Sequence, residues 1–247
     1  SEVLVYSSNI GSARIADAIG APVQRAYMER LGLLDRLSLE LPEVARPLIP
    51  QRWERISAMT ISFGHGMSVT PVHASAAIAA AAGDGIYRAP TLLKKDKLTP
   101  VIEQRIFSAE HVKSVRSMMR LVVSHKDGTG NFAEAPGYLV GGKTGTAEKV
   151  VDGRYAKDKN MVSFIGTFPA HDPAYLIFVM VDEPKGQKHS YGYATAGWVA
   201  APAIRAIVEQ IAPKLGILPV DENAPEIRQN LVPNIRIGKE EGTSAAL

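Results

Sequence analysis

The amino-acid sequence predicts a mixed α/β fold of the α+β type, an antiparallel sheet flanked by helices. Three observations carry that expectation. Helical patterns fill the first half of the 247 residues, three strand-like segments follow between Tyr138 and Val181, and a long apolar-striped helix closes the series. Turn-rich links between the strands indicate a meander rather than crossovers.

The first helix follows Ser7-Ser8-Asn9, where Ile10, Ile15 and Ile19 recur near helical spacing until Gly20 and Pro22 end it. A second helix runs from Val23 to Leu34 with Tyr27, Leu31 and Leu34 on one side. Residues 38–55 read as loop, interrupted by Pro42, Pro47 and Pro50. Thr70-Pro71 is a strong helix start, because Thr caps free amides and Pro lacks the N–H that would go unpaired there. The helix that follows, VHASAAIAAAAG, is small and apolar around its circumference and should be buried on every side. Gly83 and Gly85 stop it, and residues 86–93 read as extended. Ser108 caps an amphipathic helix with Val112, Val115, Met119 and Val122 inward. A Gly-rich loop (128–137) leads to strands predicted at 138–151, 161–168 and 175–181. Asp152-Gly153 supplies one turn and the Pro169–Pro173 stretch the other. Trp198 to Leu215 forms the last helix, with Val199, Ile204, Ile207 and Ile211 as its stripe. The tail beyond Pro219 is polar, and little order is expected in it.

Composition narrows the function. Hydrophobic residues make up 46% and charged residues 21%, as in a soluble globular protein, and the net charge of +3 without basic-aromatic stripes argues against nucleic acid. There is no cysteine, hence no disulfide, thiolate metal site or cysteine nucleophile. The six His residues (65, 73, 111, 125, 171, 189) are scattered, so a metal site is not expected, and no cofactor is implied. The longest apolar stretch, Ala76 to Gly83, is too short for a bilayer. The opening SEVLVYSSN lacks a signal peptide's basic region and cleavage site and reads like the middle of a domain.

The stretch GYLVGGKTGTAEK (137–149) satisfies two motifs at once. As G-x-x-x-x-G-K-T it matches a phosphate-binding loop, which needs a strand before its first Gly and a helix after its Lys. Here NFAEAP precedes, strand formers fill the supposed loop, and GTAEKVVDGRY continues as a strand into a turn. The phosphate-loop reading fails. The alternative places Lys143-Thr144-Gly145 on an edge strand lining a cleft, where Gly145 permits close backbone approach of a substrate. K-T-G belongs with S-x-x-K and an S-x-N motif in penicillin-interacting serine enzymes. Ser7-Ser8-Asn9 is the chain's S-x-N, although taken alone Ser7 reads better as a helix N-cap and Asn9 as a turn residue.

Together, YSSNIGSARIA, FGHGMSVTP, GTGNFAEAPGYLVGGKTGTAEK and GRYAKDKNMVSFIGTFPA resemble, in order, the transpeptidase domain of class B penicillin-binding proteins, most closely the septal, cell-division type. The similarity runs from about Val3 to Pro219. It implies the β-lactamase/transpeptidase-like fold over residues 1–219, with 220–247 a polar tail. It implies a serine D,D-transpeptidase that cross-links peptidoglycan stem peptides, binds β-lactam antibiotics and works at the periplasmic face of the bacterial inner membrane. A membrane glycan polymerase and divisome proteins are the partners such a role suggests.

No Ser in the chain has Lys three residues on, so the S-x-x-K nucleophile motif is absent. In the family it lies upstream of S-x-N, beyond the first two sheet strands. The chain is therefore expected to be a C-terminal fragment, incomplete at its N-terminal side and inactive alone. The strand at 175–181 should then expose an edge for the missing segment or for another copy. The resemblance assigns Ser7 to proton relay towards the leaving D-Ala and Asn9 to the substrate amide. Lys143 supplies positive charge near Ser7. Thr144 and Thr146 bind the terminal carboxylate, and the Thr146 N–H is one oxyanion donor. His65 is expected to pack or to stabilise its loop, and Tyr191 and Tyr193 either rim the cleft or pack. A β-lactam sensor or β-lactamase-like domain, and a non-catalytic binding module, remain the alternatives.

Overall fold

The computed structural model describes residues 1–95, 103–151 and 153–231. Its elements, in order, are α1 (Glu2–Val5), α2 (Asn9–Ile19), α3 (Ala21–Arg30), α4 (Arg55–Ile61), α5 (Pro71–Ala82), β1 (Ile86–Arg88), β2 (Glu103–Arg105), α6 (Ala109–Ser124), β3 (Gly141–Val151), β4 (Arg154–Phe168), β5 (Tyr175–Asp182), α7 (Ala196–Ile211) and α8 (Pro225–Leu231). The expected meander is present: β3, β4 and β5 form an antiparallel sheet in that order, with β1 and β2 as a separate ribbon.

The sheet is covered on both faces, and each face has a sequence reason. Val162, Phe164 and Phe168 of β4 are fully buried, and Phe164 and Phe168 share a core with Val140 and with Ala200, Ala201, Ile204 and Val208 of α7. Small residues let α7 lie close, and Phe164 fills the space they leave. On the other face Gly141 gives α6 its close approach: a Cβ there would stand 3.2 Å from the Arg120 backbone nitrogen. The α6 residues Val112, Met119 and Val122 are inward as expected, whereas Val115 is half-buried. α5 is capped by Thr70, whose hydroxyl accepts from the His73 amide. His73 is buried and satisfied, with Nδ1 on the Thr70 hydroxyl and Nε2 on the Asp35 carbonyl.

Several expectations need correction. β3 starts at Gly141 rather than Tyr138, because Gly137 and Leu139 both take positive φ (84° and 46°) and turn the chain before it can pair. β4 begins seven residues earlier than Met161 and runs beyond β5 into a hairpin arm with β3. Of the expected hairpin turn, Gly153 has φ 75°, and Asp152 lies outside the described residues. The extended segment at 86–93 shrinks to β1, and α3 ends at Arg30. On α7 the buried stripe is Ala196, Ala200, Ala201, Ile204 and Val208, while Ile207 is exposed; the helix starts two residues early and the inward face holds small residues. The α2 isoleucines are also outside, with Ile10 73% exposed, and Ala16 is inward. Past Pro219, α8 forms and buries Ile227 and Leu231 beside Leu139 and Ala170; residues 232–247 lie outside the described ones. Among the described residues β5 has one sheet neighbour, so its outer edge is free.

Candidate active site

Residues 136 positions apart meet. Lys143 Nζ donates to Ser7 Oγ at 2.8 Å, to the Thr144 carbonyl at 2.9 Å and to Thr144 Oγ1 at 3.2 Å. Strand alternation explains the aim. Gly141, Lys143 and Gly145 face α6, whereas Thr144 and Thr146 face the α7 side with their register partners Phe164 and Val162. α1 packs on α6 and delivers Ser7 to the Lys143 side.

The turn that carries Ser7 is tightly specified. Ser7 has φ 54°, unusual for a residue with a Cβ, and is held between α1 and α2. The helix cap is Ser8, whose hydroxyl accepts from the Gly11 amide at 3.1 Å, which leaves the Ser7 hydroxyl for Lys143. Asn9 opens α2 with its side chain exposed. Gly11 lets α1 and α2 touch: a Cβ there would fall 2.6 Å from Val3 Cγ2.

A groove of about 550 Å³ opens between these walls, lined by Ser7 and Asn9 on one side and by Thr144, Gly145 and Thr146 on the other. All the residues assigned to the site thus converge, five of them on the groove surface and Lys143 directly beneath. The space at Gly145 has a second use, because a Cβ there would meet Ser163 Oγ of β4 at 2.7 Å. Burial pulls the Lys143 ammonium down from 10.5 to about 8. A lysine so placed can hand a proton to, or take one from, a neighbouring hydroxyl near neutral pH.

Other lining residues, His65 apart, were not singled out as candidates by sequence. Thr129 shares a hydrogen bond with Thr144 through their hydroxyls at 2.9 Å, so the Gly-rich loop steadies the K-T-G-T strand. Phe132 and Trp198 pack at 4.7 Å between centroids and close one end, and Thr195 to Gly197 bring the α7 N-terminus to the groove, where the Ala196 amide reaches Thr146 Oγ1 at 3.4 Å. His65 both packs, edge-on to Tyr155 at 5.0 Å and against Phe63, and lines the groove; its Nδ1 is buried without a hydrogen-bond partner. Tyr191 and Tyr193 pack on Trp198, each 6.0 Å from it between centroids, and neither lines the groove. The G-T-G spacing at 128–130 and the Trp two residues into α7 are the sequence signals for these contacts, but each is too short to specify a partner.

Behind the groove, Arg120 holds the approach to β3. It is 5% exposed, donates through Nε and Nη2 to both Glu222 oxygens at 2.7 Å, and donates through Nη1 to Glu134 and to the Val140 carbonyl. Among the described residues no group of three or more His, Asp or Glu side chains could hold a metal ion, and no helix is long and apolar enough to cross a membrane.

The sequence profile of the penicillin binding protein transpeptidase domain matches residues 1–209. The chain is 39% identical over 226 residues to the probable peptidoglycan D,D-transpeptidase FtsI of Caulobacter vibrioides, covering 87% of this chain and 38% of that protein. It is 35% identical to the stage V sporulation protein D of Bacillus subtilis, over 88% of this chain and 34% of the other. Among solved structures it resembles the transpeptidase domain of Burkholderia pseudomallei penicillin-binding protein 3, with TM-score 0.79 and 35% identity over 90% of this chain and 65% of that one. Penicillin-binding protein 3 of Mycobacterium tuberculosis, complexed with ampicillin, gives TM-score 0.79 at 25% identity, covering 91% and 53%. The chain spans little more than a third of the length of these two curated relatives. A profile match over residues 1–209, on a fold shared with solved transpeptidase domains, settles the family: the chain belongs to the penicillin-binding protein transpeptidase domains.

Proposed function

We propose that the whole protein carrying this chain is a serine-type peptidoglycan D,D-transpeptidase of cell division that binds β-lactams. The single observation behind this reading is the Lys143–Ser7 hydrogen bond at the floor of a groove that presents Thr144 and Thr146. Residues 1–219 form the C-terminal part of the transpeptidase domain. The attacking serine and its lysine come from the S-x-x-K motif elsewhere in the whole protein, and the free edge of β5 supports completion by a further segment.

In this mechanism the terminal carboxylate of a D-Ala–D-Ala stem peptide lies against the Thr144 and Thr146 hydroxyls, drawn by the charge of Lys143. Asn9 holds the substrate amide. As the serine attacks, negative charge grows on the carbonyl oxygen and is met by the Thr146 N–H. Ser7, linked to Lys143, relays a proton to the departing D-Ala amine. The Thr129–Thr144 hydrogen bond keeps the carboxylate site in place before substrate arrives. Such chemistry belongs at the periplasmic face of the inner membrane, where the stem peptides are, alongside a glycan polymerase and divisome partners.

Labelled penicillin tests the reading. The whole protein should take up about one equivalent and release it slowly. Rapid release would mark a β-lactamase, and no label at all would mark a non-catalytic module.

A further inference from the structure

A second groove, of about 460 Å³, adjoins the first across the Phe132–Trp198 pair that both share. Pro184, Val199 and Pro202 give it an apolar floor, and Lys185 and His189 stand at its margin. The two acidic residues just before it, Asp182 and Glu183, are both engaged by Lys149. Lys149 offsets one of their two charges, and with Lys185 and Lys188 the loop carries one net positive charge.

The loop is built to hold this shape. Ser190, 2% exposed, accepts from the Gln187 amide at 3.0 Å and donates to the Tyr193 carbonyl at 2.7 Å. Gly186 allows the chain to double back, since a Cβ there would stand 2.0 Å from the Gly192 carbonyl oxygen. Beyond it Tyr191 and Tyr193 remain 81% and 57% exposed although both pack on Trp198. A fixed, half-apolar surface with a net positive charge, continuous with a catalytic groove, is the form of a substrate subsite.

We propose that this second groove binds the acidic stem peptide of the acceptor strand, an inference that rests on the transpeptidase reading above. Transpeptidation consumes two peptides. The donor's terminal carboxylate is taken by Thr144 and Thr146. The acceptor then brings an amine to the acyl carbonyl: the new C–N bond forms, the serine C–O bond breaks, and the amine's proton passes to the serine oxygen. That amine must arrive beside the acyl group. The adjoining groove gives it a path, with Lys185 and Lys188 matched to the acceptor's free carboxylates and the apolar floor to its side chains.

The test compares the whole protein with its Lys185→Glu/Lys188→Glu variant, using a D-Ala–D-Ala donor peptide and two synthetic acceptors. One acceptor keeps its free carboxylates and the other has them amidated. Labelled penicillin counts acylatable sites, and cross-linking is expressed per labelled site. The variant should raise KM for the acidic acceptor by about tenfold, with a change below about twofold for the amidated one. Equal effects on both acceptors, or none on either, overturn the proposal. Wild-type protein that takes no label overturns the transpeptidase reading and this proposal with it, whereas labelled protein with unselective acceptor use overturns this proposal alone.

Discussion

Lys143 should titrate as a much weaker base than an ordinary lysine. Its side chain is drawn under the groove, where burial lowers its pKa from 10.5 to about 8 while the hydroxyls and carbonyl around it still accept its protons. At pH 7 about a tenth of the molecules then carry it neutral, against roughly one in three thousand at the ordinary value. That difference is worth at most about 3 kcal/mol, because water in the open groove screens part of it. The unfolded chain holds this proton up to 10.5 and the folded chain releases it near 8. This lysine's contribution to stability therefore rises as pH climbs between those values and is flat below. Reductive ¹³C-methylation of the whole protein, followed by NMR titration, resolves lysines one by one. One resonance should move with a midpoint near 8 and vanish in Lys143→Arg. Ser7→Ala removes an oxygen that accepts from the charged form, so the midpoint should fall further. A bound carboxylate should raise it, with proton uptake on binding at pH 7. A Lys143 midpoint at or above 10, or a rise in Ser7→Ala, would refute the reasoning.

Other outcomes follow from packing. Phe164 is fully buried between β4 and α7, so Phe164→Ala should cost about 3–5 kcal/mol in urea unfolding; a loss under about 1 kcal/mol would show that the core is not built on it. Removing both Glu134 and Glu222 strands a buried guanidinium and should cost about 3–5 kcal/mol, more than Arg120→Met, which leaves two carboxylates that water can reach; the opposite ranking in the same assay would contradict this. Gly11→Ala gains about 1 kcal/mol of helix propensity but sets a methyl 2.6 Å from stiff Val3, and overpacking of about 1–3 kcal/mol should win. Penicillin acylation, read by label uptake with time, should then slow because the Ser7 turn shifts; an unchanged rate would show that the turn does not depend on that contact.

Local signals with a complete chemistry were legible in the sequence. Thr70-Pro71 carries its own reason for starting a helix, and α5 begins there. The α6 period and the Ser108 cap agree with each other, and α6 spans the expected range. Where the outcome depends on partners, sequence reading slipped. The α2 isoleucines have helical spacing, but what lies against them decides whether they are inside, and Ile10, Ile15 and Ile19 are exposed. Residues 138–140 are strand formers, yet the backbone turn at Gly137 and Leu139 overrides them. α8 is a seven-residue helix whose burial depends on Leu139 and Ala170, far away in sequence. The site divides the same way. Ser7, Asn9 and Lys143 to Thr146 were visible as motifs, and the structure brings them together. Thr129, Phe132 and Trp198 have no motif of their own: Trp198 enters the groove because α7 packs small residues against Phe164, and the loop before β3 brings in Thr129 against Thr144 and Phe132 against Trp198.

The most direct measurement is a crystal structure of the whole protein acylated by a penicillin. The drug's carboxylate should lie within hydrogen-bond distance of the Thr144 and Thr146 hydroxyls, with Lys143 still bonded to Ser7. A carboxylate seated elsewhere, or Lys143 and Ser7 apart in the adduct, would contradict the account.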